Sequence, residues 1–109
     1  MFIAHEVAIQ LVRSLRSSVE LLARKDAALA DQLRRAGSSV LLNIAEGARR
    51  VGKDRAHHYR VAAGSAAEVA AALEVAAAWG YLDEAPLVEV RRLVDRELGL
   101  LWGLTRRRG

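Results

Sequence analysis

The chain has 109 residues, the size of one small domain, and 52% are hydrophobic, enough for one core but not two. It has no cysteine, which excludes disulfides and thiolate metal sites and fits a reducing compartment. Seventeen basic against thirteen acidic residues give a formal charge of +4, and fifteen of the seventeen are arginine, whose planar fork pairs with oxyanions.

The N-terminus, MFIAHEVAIQ, meets Glu6 before an apolar run can form, so it does not read as a secretory signal. The longest uncharged run, Ala36 to Ala45, is ten residues, too short to span a bilayer. A cytoplasmic protein without membrane contact is expected.

No stretch alternates in the way strands do, and the one proline is Pro86. Four amphipathic stretches predict four helices, over 3–24, 27–48, 53–79 and 84–105. In the first, Ala4, Ala8, Leu11, Leu15, Ser18 and Leu22 recur at 4-3 spacing. Asp26 is placed to cap the second, whose stripe is Leu29, Leu33, Ala36, Val40, Asn43 and Gly47, with polar Asn43 on the apolar seam. Gly47 and Gly52 bracket a break. The third carries Tyr59, Ala63, Ala66, Ala70, Leu73 and Ala77, with alanine on its other faces too, and Gly80 stands where a helix C′ glycine belongs. Asp83 and Pro86 mark the start of the fourth, striped by Leu87, Val90, Val94, Leu98, Leu101 and Leu104. Tyr59 and Trp102 fall on or near these stripes and are expected in the core. Short connections make neighbours antiparallel, so the expected fold is all-α, an up-down-up-down four-helix bundle with shallow crossing angles. The alanines of the third helix, with Gly64, exceed what one core can cover, so a homo-oligomer is expected.

The polar residues concentrate in NIAEGARRVGKDRAHHYRVAAGSAAE, residues 43 to 68. Glu46 lies about one turn from the second loop and Glu68 about four, too far apart along their helices to share a proton, and no Ser-His-acid pattern emerges. His57 and His58 are adjacent, so on a helix they point roughly 100° apart and cannot form one metal-binding face. GARRVGK joins two helices and lacks the spacing of a phosphate-binding loop, although the N-terminus of the third helix favours anions. No catalytic residue, cofactor or metal is assigned. Asn43, Glu46, Gly47, Gly64, Ser65 and Glu68 read as a structural motif. On this reading the carboxylates turn inward and find partners among Arg34, Arg35, Arg60 and backbone N–H groups, because a buried charge needs compensation.

Three segments carry a family resemblance. Asp31–Ala36 (DQLRRA), Asn43–Gly47 (NIAEG) and Ala63–Glu68 (AGSAAE), in that order and spacing, resemble the family named after the 23S rRNA intervening-sequence protein. The accessory variability determinant of diversity-generating retroelements belongs to the same family. The likeness covers about residues 5 to 104. It implies a homopentameric barrel of four-helix protomers with basic surfaces. For the retroelement branch it implies RNA and a reverse transcriptase as partners, while many members have no established role.

The leading expectation is a non-enzymatic, oligomeric RNA- or nucleoprotein-binding protein. A protein–protein scaffold without nucleic acid is the alternative. Up-down-up-down order puts the second loop and both termini at one end. Arg49, Arg50, Lys53 and Arg55, with Arg106, Arg107 and Arg108, are the expected nucleic-acid contacts there. Asp26, Asp31, Asp83, Glu84 and Glu89, against Arg24 and Lys25, are expected to make the other end acidic.

Overall fold

The computed structural model describes residues 2–106. It consists of four helices, α1 (Ile3–Ala23), α2 (Ala27–Ala48), α3 (Gly52–Ala78) and α4 (Ala85–Arg106), and no strand occurs among the described residues. The body is long and narrow, 44 × 22 × 21 Å. α1 packs on α2, α2 on α3, α3 on α4, and α4 back on α1, with the α2–α3 contact the most extensive.

Local chemistry sets the helix ends. The Asp26 carboxylate accepts from the Leu29 N–H at 3.0 Å, satisfying one of the orphan donors of the first turn of α2. α3 stops at Gly80, whose φ of +78° lets the Tyr81 N–H reach the Ala76 carbonyl and the Gly80 N–H reach that of Ala77. Gly52, at φ +59°, turns the chain into α3. Gly47 does not break α2, which continues through it to Ala48. α4 begins at Ala85, so Glu84 rather than Asp83 precedes it.

The core is built from Leu11, Leu22, Leu33, Ile44, Leu73 and Leu101, all fully buried, with alanines between them. The α1 stripe is buried as its spacing predicts. Elsewhere the phase differs. α3 buries Ala62, Ala66, Val69, Leu73 and Ala76, so the expected Ala63, Ala70 and Ala77 are only half-buried. With alanine on every face, hydrophobic contrast could not fix which stripe turned inward. On α2, Ile44 takes the seam and Asn43 moves to its edge. On α4, strict 3-4 spacing from Leu87, Val90 and Val94 leads to Glu97, not Leu98, and Glu97 is fully buried. Tyr59 is buried, but Trp102 is 62% exposed, with the Arg106 guanidinium 5.1 Å above its ring.

α3 is long and apolar enough to cross a bilayer by length and composition, despite Glu68 and Glu74. Counting uncharged runs missed this, because two isolated glutamates interrupt an alanine-rich segment. In the fold this helix packs against α2 and α4.

Candidate functional site

Most of the motif residues meet where α2 lies on α3. Gly47 comes first because the others depend on the close approach it allows. A Cβ built there would stand 2.7 Å from Tyr59 Cε1, 2.9 Å from Tyr59 Cδ1 and 3.2 Å from the His58 Cβ. Only glycine lets the Tyr59 ring rest on the α2 backbone. Tyr59 also packs near Phe2, ring centroids 6.2 Å apart, and Phe2 shares a groove with Gly103 and Leu104. The end of α2 and the starts of α3 and α1 therefore meet the end of α4 around one aromatic pair.

A chain of hydrogen bonds runs from there along the helix seam. His58 Nδ1 lies 3.1 Å from Asn43 Oδ1. The Asn43 amide nitrogen donates to the Ser39 carbonyl at 3.0 Å and to Ser39 Oγ at 3.1 Å. With that nitrogen committed to Ser39, Oδ1 is the atom facing His58, so Nδ1 carries the proton and donates. Ser65 Oγ then donates to Ser39 Oγ at 2.7 Å. Asn43 and Ser39 on α2 are thus tied to His58 and Ser65 on α3. Neutral hydrogen bonds of this kind each contribute about 1 kcal/mol net, and stranding one partner costs more than that.

The two glutamates do not turn inward. Glu46 is partly exposed and pairs with Arg50, which is also bound to Asp54 at 2.7 Å. The spacing is i, i+4 on both sides, so Arg50 links the end of α2 across the loop to the first turn of α3. The Arg50 guanidinium holds the Glu46 carboxyl below its ordinary range, and the two carboxylates push the Arg50 value up. Asp54 Oδ1 lies 3.9 Å from His58 Nε2, close but beyond hydrogen-bond distance, so the ion network and the hydrogen-bond chain adjoin without a bond between them. Glu68 is exposed. Its partner is Gln32, at 3.4 Å, rather than an arginine, in a shallow polar depression with Asp31 and Arg35. Gly64 has nothing within 4 Å of a would-be Cβ and faces outward, next to the exposed Val61 and Ala67.

The basic residues differ in how free their charge is. Arg50 is neutralised by two carboxylates, and Arg55 Nε donates to the Gly47 carbonyl at 3.3 Å. Arg49 and Lys53 are exposed and have no carboxylate partner among the described residues. Arg106 is exposed on the end of α4, while Arg107 and Arg108 lie outside the described residues. The opposite end is less acidic than its aspartates and glutamates suggest. Asp31 pairs with Arg34 and Arg35, Glu84 with Arg91, and Glu89 with Arg92. Those arginines sit three to seven residues further along the chain, up to about two turns away, and counting end residues alone omits them.

Sequence reasoning missed Ser39 and His58 as members of the motif. The i, i+4 relation of Ser39 to Asn43 was a readable signal. The Asn43–His58 bond, 15 positions apart, needed the helix register. Among the described residues, no three His, Asp or Glu side chains converge as a metal shell.

If this seam is a structural clamp, two substitutions lower stability. Gly47→Ala drives a methyl into the Tyr59 ring and is expected to lower unfolding free energy by about 1–3 kcal/mol. Asn43→Ala strands the His58 N–H and is expected to act by a similar amount, on the order of 1–3 kcal/mol. Chemical denaturation checks both, and two unchanged midpoints would remove the clamp.

A family model described as 23S rRNA-intervening sequence protein matches residues 2–103. The fold is similar to the crystal structure of a protein of unknown function from the S23 ribosomal protein family of Bacteroides thetaiotaomicron. The TM-score is 0.88 at 17% identity, covering 95% of this chain and 99% of that one. At that identity the likeness bears on fold alone. No curated protein matches the chain. With the match reaching into all four helices and spanning the three sequence segments that pack at the α2–α3 seam and its flank, the chain belongs to the 23S rRNA-intervening sequence protein family.

Proposed function

We propose that this protein is a non-enzymatic, homo-oligomeric RNA-binding accessory protein, built as an antiparallel up-down-up-down bundle whose basic end holds phosphate. The observation that carries the reading is the pair Arg49 and Lys53, exposed and without carboxylate partners among the described residues, beside a loop that Arg50 and Asp54 hold in place. Free cations on a rigid frame suit a polyanion, because phosphate contacts are electrostatic and need little local reshaping. The family's name, which refers to 23S rRNA, supports RNA as that polyanion. Arg106, exposed at the end of α4, adds charge, and Trp102, with one face under the Arg106 guanidinium, offers an exposed ring on which a base can stack. A reverse transcriptase is a candidate protein partner, through the resemblance to the retroelement branch.

The antiparallel order is supported by the α2–α3 pairings. As α2 is followed from Gln32 through Ser39 to Asn43, the partners on α3 fall from Glu68 through Ser65 to His58. Oligomerisation is supported by the outer faces of α2 and α3, where Leu42 is 66% exposed and Val61 and Val75 are open, with Gly64 between the valines. A cyclic oligomer, with a pentamer favoured from the family resemblance, would repeat the basic end as a ring. The same apolar faces favour a second reading, a protein–protein scaffold without RNA.

Two outcomes are expected. Light scattering gives a mass several times 11.9 kDa. Gly64→Ala lowers that mass by crowding the neighbour, whereas in a lone protomer the open site would simply gain up to about 1 kcal/mol of helix stability. Arg49→Glu with Lys53→Glu weakens binding to a single-stranded RNA. It also reduces the slope of log affinity against log salt by about 0.7 for each phosphate that is no longer neutralised, with the oligomer intact. An unchanged slope and affinity would remove this end as the site and leave the scaffold reading.

A further inference from the structure

Glu97 belongs to none of the interactions above. It lies on the buried side of α4 between Val94 and Leu101, is 0% exposed, and neither carboxyl oxygen has a hydrogen-bond partner among the described residues. Among the described residues no buried cation stands beside it. The buried residues of α1 and α2 include no titratable side chain, and those of α3 include only Tyr59. Of the half-buried groups on the packed helices, His5 and Glu6 sit near the start of α1, and His58 is bonded to Asn43. On α4 itself, exposed Arg96 is the neighbouring charge. An ionised Glu97 in this setting would be a buried charge without compensation, so the carboxyl is held neutral or must leave.

Beyond Glu97 the packing thins: Leu101 is the one fully buried side chain in residues 98–106, while Leu98, Leu100 and Leu104 pack against the core only half-buried. Gly99 and Gly103 have nothing within 4 Å of a would-be Cβ, and each weakens a helix relative to alanine. Both border an open groove of about 450 Å³ shared with Phe2 and Ile3, and Trp102 projects into solvent.

We propose that Glu97 is a proton-controlled latch: neutral, it keeps residues 98–106 packed in the bundle, and its ionisation releases that segment. Release would uncover the apolar surface around Phe2 and Leu101 and carry Trp102 and Arg106 away from the basic end. The inference stands on burial and missing partners and is independent of the RNA reading.

Burial pushes the Glu97 carboxyl up from 4.5 to about 8, and Arg96 opposes this only weakly. A raised value means that the packed state holds a proton which the released state gives up. The contribution to packing is therefore complete below pH 4.5, declines as pH rises, and is gone above about 8.

Hydrogen–deuterium exchange of the full chain, normalised at each pH to intrinsic rates, tests this. Between those limits, the opening equilibrium of peptides covering 98–106 should rise by up to about tenfold per pH unit. Glu97→Gln, a neutral isostere, should abolish the rise while α2 and α3 stay protected in both proteins. Identical pH profiles for the two proteins would overturn the latch, as would exchange rising equally in all four helices. Should Glu97→Gln not fold, the infrared carbonyl band of a protonated carboxyl decides on the wild type. Persistence of that band after all exposed acids have ionised supports the latch, and its disappearance along with them overturns it.

Discussion

The close approach of α2 to α3 at Gly47 is the constraint on which the rest of the molecule depends. Alanine-rich α3 has little side-chain volume with which to fill a core, so it is stable only when its neighbours come near. Gly47 lets Tyr59 lie on the α2 backbone. That proximity brings His58 within reach of Asn43, and further along the helices Ser65 within reach of Ser39. A methyl at one position would separate groups across the whole seam, since interiors this densely packed transmit small displacements.

The same approach organises the charges. Arg50 spans from Glu46 to Asp54 because the end of α2 and the start of α3 are already juxtaposed. Its charge is consumed in holding the loop, which leaves Arg49 and Lys53 exposed on a fixed frame. Neighbouring basic residues thus differ in role: Arg50 is paired, while Arg49 and Lys53 stay exposed without a carboxylate partner among the described residues. Glu97 marks the opposite design. There the fold keeps a carboxyl where, among the described residues, it has nothing to bond, a locally costly arrangement for the charged form.

The helices and the buried stripe of α1 were legible because leucine and valine contrast with arginine and glutamate at 4-3 spacing. α3 offered no such contrast, so its helical character was clear but its inward face was not. Glu97 was unreadable for a related reason: a hydrophobicity pattern prefers Leu98 and cannot anticipate a carboxyl on the seam. The motif residues were legible as a group from their order and spacing. Their interactions were only partly so. The Glu46–Arg50–Asp54 series follows from helical periodicity, whereas Asn43 with His58 and Ser39 with Ser65 depend on the register between two helices, which local spacing does not encode. Reading both glutamates as inward-facing assigned them a desolvation problem that they do not have, since Glu46 is met by Arg50 at the surface and Glu68 faces solvent beside Gln32.

The central claim is that one end of the bundle, framed by the α2–α3 seam, is where RNA is held. Photocrosslinking the protein to a single-stranded RNA bearing 4-thiouridine, followed by peptide mass spectrometry, tests it most directly. Crosslinks should fall in residues 49–55 and around Trp102 to Arg106, with none on the outer face of α3 around Gly64. Crosslinks confined to the flank around Arg34, Arg35 and Arg60, with the 49–55 loop unlabelled, would contradict it.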